Sequence, residues 1–163
     1  ARNATAAAMF RYPDFYKVGI SESGNHENLN YEDDWGERYI GLLKTGADGK
    51  NNYENQANQN FAKNLKGKLL LAHGGMDNNV PPYNTYLVVD ALEKANKDYD
   101  LIIFPNSRHG YAQTAMSPVP DQALTYYMMR RRWDYFVKNL LGAEPPKEYK
   151  LVSKPDPRMA SRQ

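Results

Sequence analysis

LLLAHGGMDNNV, residues 69–80, decides how the chain is read. With Lys68 ahead of it, the stretch opens on a short apolar run without alternation, the pattern of a strand buried on both faces. Gly74-Gly75 ends that strand, and Pro81-Pro82 followed by Asn84 opens a helix with the stripe Thr85, Val88, Val89, Leu92 and Ala95. A second strand, YDLIIF at residues 99–104, closes at Pro105. Strand, helix and strand make one right-handed crossover, which returns the second strand parallel to the first.

Working outward, residues 4–11 form a helix of strong helix formers, stopped by Tyr12-Pro13-Asp14. Lys17 to Ser21 is a short buried strand, and residues 24–31 are a polar loop. Asp34 is expected to cap a short helix carrying Trp35, Arg38, Tyr39 and Leu42. In the Asn- and Gln-rich tract beyond it, Tyr53, Ala57, Phe61 and Leu65 recur at helical spacing, predicting a solvent-facing helix with one apolar edge. After a loop over residues 106–120, a long helix places Tyr126, Met129, Trp133, Phe136, Val137 and Leu140 in one core stripe. Arg130, Arg131 and Arg132 fall mostly off it, on a solvated face. From Gly142 the chain is Pro-rich and charged, an extended tail. The expected fold class is α/β with about three parallel strands and flanking helices. The expected domains are 1–141, one α/β unit, and 142–163, the tail.

A chain of 163 residues supports one sizeable core. Its 21 Lys and Arg against 19 Asp and Glu leave +2, no case for a nucleic acid or other polyanionic partner. The absence of cysteine excludes disulfides, thiolate metal sites and a Cys nucleophile. No apolar stretch approaches the roughly 20 residues of a membrane span, and the N-terminus lacks a signal-peptide layout. There is no glycine-rich phosphate loop and no His/Asp/Glu group with metal spacing, so no cofactor is expected. The chain starts already within a helix, which suggests the middle of a longer protein.

Asp77 follows one strand and His109 the next, so both emerge at the sheet edge where open α/β sheets bind ligands. A carboxylate on one imidazole nitrogen fixes the tautomer and frees the other nitrogen for general base and acid work. Asp before His across one βα unit suits the end of the Ser, Asp, His order of α/β-hydrolases. Two plainer readings stand beside this: Asp77 as a helix cap and His109 as a surface histidine. His73-Gly74-Gly75 resembles a lipase oxyanion loop, but it ends a strand instead of preceding a nucleophile, so local hydrogen bonding is its expected role.

The motifs LLLAHGGMDNNV, FPNSRHGY, FRYPDFYKVGISESGNHEN and DDWGERYIG resemble the C-terminal catalytic domain of the prolyl oligopeptidase family of serine peptidases, in the dipeptidyl peptidase IV-like branch. The resemblance runs from about Ala4 to Leu141. It implies the C-terminal part of an α/β-hydrolase fold, with Asp77 as triad acid and His109 as base. Asn79 matches a residue that holds a carbonyl of the bound peptide. Tyr31, Trp35 and Val80, with Tyr39 nearby, match the pocket for the residue before the scissile bond; Trp35 stands where this branch usually has Tyr. Each aromatic also reads as packing for its helix.

The family's nucleophile lies in Gly-x-Ser-x-Gly-Gly, on a turn leading into the helix at residues 4–11. Family spacing puts it just before Ala1, so the chain is expected to be a fragment, inactive alone. Its expected partners are a peptide substrate and the missing N-terminal part of the same protein, a propeller and the rest of the hydrolase domain. Ser21 comes close to Gly-x-Ser-x-Gly, but its last glycine is a serine and no helix follows; Ser107 is too close in sequence to His109, and Ser117 has no turn motif. The strand at Lys17 to Ser21 would lack its serine-bearing neighbour, leaving an edge open to self-association. Acidic residues of an upstream domain read the free amino terminus in this family, so dipeptidyl, oligopeptidyl and acylaminoacyl specificities stay open. Localisation is likewise open, with resemblance favouring periplasm or cell surface. The other reading is a non-catalytic α/β-hydrolase-like binding or interaction module.

Overall fold

The computed structural model describes residues 2–111 and 121–152. The chain divides into two compact units, Ala1–Asp121 and Gln122–Gln163. The first carries α1 (Arg2–Arg11), β1 (Val18–Glu22), α2 (Asp33–Ile40), β2 (Lys68–Gly74), α3 (Tyr83–Lys94) and β3 (Asp100–Phe104); the second carries α4 (Gln122–Leu140). No helix among the described residues is long and apolar enough to cross a membrane.

The sheet order is β1-β2-β3, both pairings parallel, with Ile20 opposite Leu70 and Ala72 opposite Ile102. β2 is central, and every residue from Leu69 to Gly74 is buried, which accounts for its unbroken apolar run. Leu69 and Leu71 project to one face, against Ala6, Met9 and Phe10 of α1, Val88 and Leu92 of α3, and Ala62 and Leu65. Burying each such leucine is worth roughly 1.5–3 kcal/mol. Period two then carries His73 to the face of Leu69 and Leu71, where α3 supplies its partner.

Five local expectations are corrected. Residues 54–64 form two 3-10 segments, Glu54–Gln56 and Asn58–Asn64, instead of one α-helix. The apolar anchors Tyr53, Ala57 and Leu65 are buried as the spacing required. Asn51 takes the backbone N–H groups of Tyr53 and Glu54 on its Oδ1, and such competition from a polar side chain disfavours a regular helical start. The N-cap of α2 is Glu32, without a side-chain bond; Asp33 and Asp34 lie in the first turn, where they favour the helix electrostatically.

On α4 the buried residues are Met128 and Tyr135, whereas Trp133, Phe136 and Leu140 of the expected stripe are exposed. The apolar stripe that periodicity picks out is thus not the side that Met128 and Tyr135 bury. Arg130 is not on a solvated face: it pairs with Asp134 at 3.1 Å and lies over the rings of Tyr127 and Tyr149. The hydroxyl of Tyr149 donates to Asp134 at 3.0 Å, so the irregular segment after Gly142 folds back on α4.

Candidate active site

The turn after β2 is built on the chain that follows β3. Gly75 N–H donates to the Phe104 carbonyl at 2.8 Å and Met76 N–H to the Ser107 carbonyl at 3.0 Å. A Cβ on Gly74 would stand 2.5 Å from the carbonyl oxygens of Ser107 and Arg108, so only glycine permits this approach. The two turns at the carboxyl edge of the sheet are thereby fixed against each other.

Asp77 emerges from this junction buried. Its Oδ1 accepts the backbone N–H groups of Asn79 and Val80, at 3.0 and 2.9 Å. Its Oδ2 meets Nδ1 of His109 at 2.8 Å and Nε2 of His73 at 3.3 Å. Burial pushes the carboxyl up, but bonds from His73, the Val80 amide and His109, with the His109 charge, outweigh it and bring the pKa to about 2. The side chain is therefore an anion through the neutral range.

His73 performs the local bonding expected of it. Nε2 lies 2.9 Å from the Val80 carbonyl, which can only accept, so that nitrogen carries a proton. Nδ1 lies 2.7 Å from Oγ1 of Thr85 on α3. The ring thus ties strand, acid turn and helix together.

His109 follows β3 in a turn closed by Gly110 and Tyr111, both with left-handed φ, 85° and 68°. Tyr111 is buried, donates its hydroxyl to the Ala72 carbonyl at 2.8 Å and stacks on Phe104. The His109 side chain is 35% exposed, and its Nε2 makes no hydrogen bond among the described residues. An Asp77 anion on Nδ1 fixes the proton there and leaves Nε2 of the neutral ring a lone pair.

His109 lines a cavity of about 390 Å³. Tyr31, Trp35 and Val80 give it an apolar wall, and Asn3, Ser23, Asn25 and Asn79 a polar one. The Tyr31 hydroxyl donates to Oδ1 of Asn79 at 2.8 Å, leaving the Asn79 NH₂ group free of that bond. Tyr39 stands outside the lining, its ring 4.5 Å from that of Trp35. The sequence-derived residues thus come together except Tyr39, one helical turn behind. A larger cavity of about 720 Å³ lies within the second unit around Tyr126, Arg130 and Tyr149, and Arg130 there is already paired with Asp134.

Sequence reasoning missed Ser23, Asn25 and His26. Asn25 and His26 fall in the stretch 24–31 read as a polar loop and Ser23 just ahead of it, yet Ser23 and His26 are buried and Asn25 half-buried. Nδ1 of His26 accepts from Nδ2 of Asn58 at 2.9 Å, and burial, with His73 nearby, lowers its pKa to about 3. No periodicity signals a buried polar network of this kind.

A parallel sheet with flanking helices, an acid turn after one strand and a histidine after the next, defines part of an α/β-hydrolase fold. Residues 3–140 match the sequence pattern of the prolyl oligopeptidase family, and the chain belongs to that family. Among curated relatives, the "probable dipeptidyl-aminopeptidase B" of Neurospora crassa is 35% identical over 97 residues, 58% of this chain and 10% of its own length. Dipeptidyl peptidase 8 of Homo sapiens is 30% identical over 104 residues, 63% of this chain and 11% of its own. The chain therefore spans about a tenth of the length of these relatives. A Bacteroides ovatus structure assigned as a dipeptidyl aminopeptidase IV superposes with a TM-score of 0.71 at 28% identity, covering 85% of this chain and 18% of that one. Dipeptidyl peptidase 4 of Porphyromonas gingivalis gives 0.71 at 22% identity with the same coverages, a likeness of fold.

Proposed function

We propose that this chain supplies the catalytic acid and base, and part of the substrate pocket, of a serine peptidase that cleaves peptides near their amino terminus in the dipeptidyl peptidase manner. The observation that carries the reading is the 2.8 Å contact of His109 Nδ1 with the buried Asp77 carboxylate, at a cavity with an aromatic wall. The names of the relatives support the dipeptidyl class.

In this reading Nε2 of His109 takes the proton of a serine hydroxyl as that oxygen attacks the peptide carbonyl, then returns it to the departing amine. Water repeats the cycle on the acyl-enzyme. Asp77 stays ionised and stabilises the imidazolium, as its low pKa favours. The Asn79 NH₂ group donates to a carbonyl of the bound peptide, oriented by Tyr31 on the opposite atom of the amide. Tyr31, Trp35 and Val80 enclose the side chain before the scissile bond, and Tyr39 supports Trp35 from behind. The nucleophile is assigned to a Gly-x-Ser-x-Gly-Gly turn ahead of α1. Ser21 and Ser107 are buried and do not line the cavity; Ser23 lines it but makes no bond to His109; Ser117 lies outside the described residues.

Fluorophosphonate labelling tests this. The 163-residue chain is expected to remain unlabelled, and a chain extended upstream through such a turn to be labelled at its new serine, with His109→Ala abolishing the labelling. Stoichiometric labelling of the 163-residue chain, or indifference of the extended one to His109→Ala, would overturn the reading.

A further inference from the structure

Ser23 takes no part in the acid–base pair, yet it lines the same cavity. It continues β1 by one step, its N–H donating to the Ala72 carbonyl at 2.8 Å, and then turns with φ of 43°. That left-handed conformation is uncommon for any residue but glycine. The residue is 3% exposed, and its buried Oγ has no hydrogen-bond partner among the described residues. Buried hydroxyls are ordinarily paired, and strained backbone collects at ligand-binding positions. Both departures meet at one residue of the cavity wall.

The neighbours say what Ser23 would meet. Asn25 is committed on both ends of its amide, accepting from Asn84 Nδ2 at 3.1 Å and donating to Asn28 at 2.9 Å. Asn79, exposed at the rim, is placed for a peptide backbone that passes outside. Ser23 belongs to the wall of the same cavity, its hydroxyl buried and without a partner among the described residues. Tyr31, Trp35 and Val80 provide apolar contact, so the cavity suits a small side chain with one apolar face and one hydrogen-bonding atom.

We propose that Ser23 is a specificity-determining residue: its hydroxyl bonds the side chain of the peptide residue in the cavity, favouring threonine and serine over the isosteric valine and alanine. This rests on the peptide-site reading of the cavity.

The test titrates the 163-residue chain with Ala-Thr-amide and Ala-Val-amide, of nearly equal shape, and follows the His109 ring by NMR. The threonine peptide is expected to bind about three- to tenfold tighter, the range for one neutral hydrogen bond. In Ser23→Ala and Ser23→Gly the ratio should fall to about one with valine-peptide affinity unchanged; glycine suits the positive φ, so the second variant guards against misfolding. Equal affinities in the parent chain, or a preference that survives both variants, would overturn the role of Ser23 and leave the peptide site standing. Absence of any effect of either peptide on His109 would overturn both.

Discussion

His73 stands behind Asp77, its Nε2 3.3 Å from the Oδ2 that also receives His109 Nδ1 at 2.8 Å. One carboxylate is held between two imidazoles, the inner ring fully buried and the outer one open to the cavity. The inner ring earns its place structurally: it binds the Val80 carbonyl and Thr85 as well. His73→Ala should therefore destabilise the chain by about 2–4 kcal/mol, from an unpaired buried carboxylate and carbonyl together with a cavity. Urea unfolding measures the loss, and a ¹³C titration should show the Asp77 carboxyl rising from about 2 towards its usual value. An unchanged titration would deny His73 any hold on the acid.

Asp77→Asn keeps an oxygen for the Asn79 and Val80 amides but turns an NH₂ group towards His109. The imidazole should then lose its preference for a proton on Nδ1, visible in the ¹⁵N shifts of the ring. In an extended, serine-bearing chain turnover should drop about 10⁴-fold. Retention of the Nδ1–H tautomer in the variant would show that another group orients the ring.

His26 makes stability depend on pH. An unfolded imidazole takes up its proton near 6.5, whereas burial delays this in the folded chain to about 3. Between those values the unfolded state binds more protons, so stability falls as pH is lowered, by about 1.4 kcal/mol per unit within the window. Asp77 adds a loss of the same sign, between 3.8 and about 2. Urea midpoints at pH 7, 6, 5 and 4 should decline steadily, and His26→Asn should flatten the series at the expense of stability at pH 7. A flat series in the parent chain would mean that His26 is reached by solvent.

Gly74→Ala forces a methyl group against the carbonyls of Ser107 and Arg108. The chain after β3 must retreat, at about 1–3 kcal/mol, taking His109 with it. Loss of the His109 Nδ1–H signal alongside a lowered melting temperature is the expected pair of results. A lowered melting temperature with the signal intact would mean that the two turns move together.

β1 pairs with β2 on one side, and its outer edge has no strand partner among the described residues. Its sequence, VGISE, carries no lysine or proline to discourage pairing. The 163-residue chain is therefore expected to self-associate, and light scattering should report more than 18.6 kDa. A strictly monomeric species with the β1 amides exchanging freely would sink this expectation.

Much of the sheet was legible in the sequence because a strand buried on both faces leaves a continuous apolar run, as Leu69 to Ala72 does. Topology then brought Asp77 and His109 to one edge before any distance was known. What escaped was set by side chains acting on backbone: Asn51 favouring 3-10 turns after Tyr53, and Asn58 drawing His26 inward. Polar residues look alike in sequence whether they face water or one another. On α4 the periodic stripe was legible but was not the side that became buried, since Met128 and Tyr135 lie off it.

The Tyr111 hydroxyl on the Ala72 carbonyl reaches across to the central strand from just beyond the base. With β3 on one side of His109 and this tether on the other, the imidazole belongs mechanically to the sheet. The position of the ring is thereby set by the central strand as well as by β3. The base is thus anchored at both ends of its turn, and the anchor on its far side is a single tyrosine.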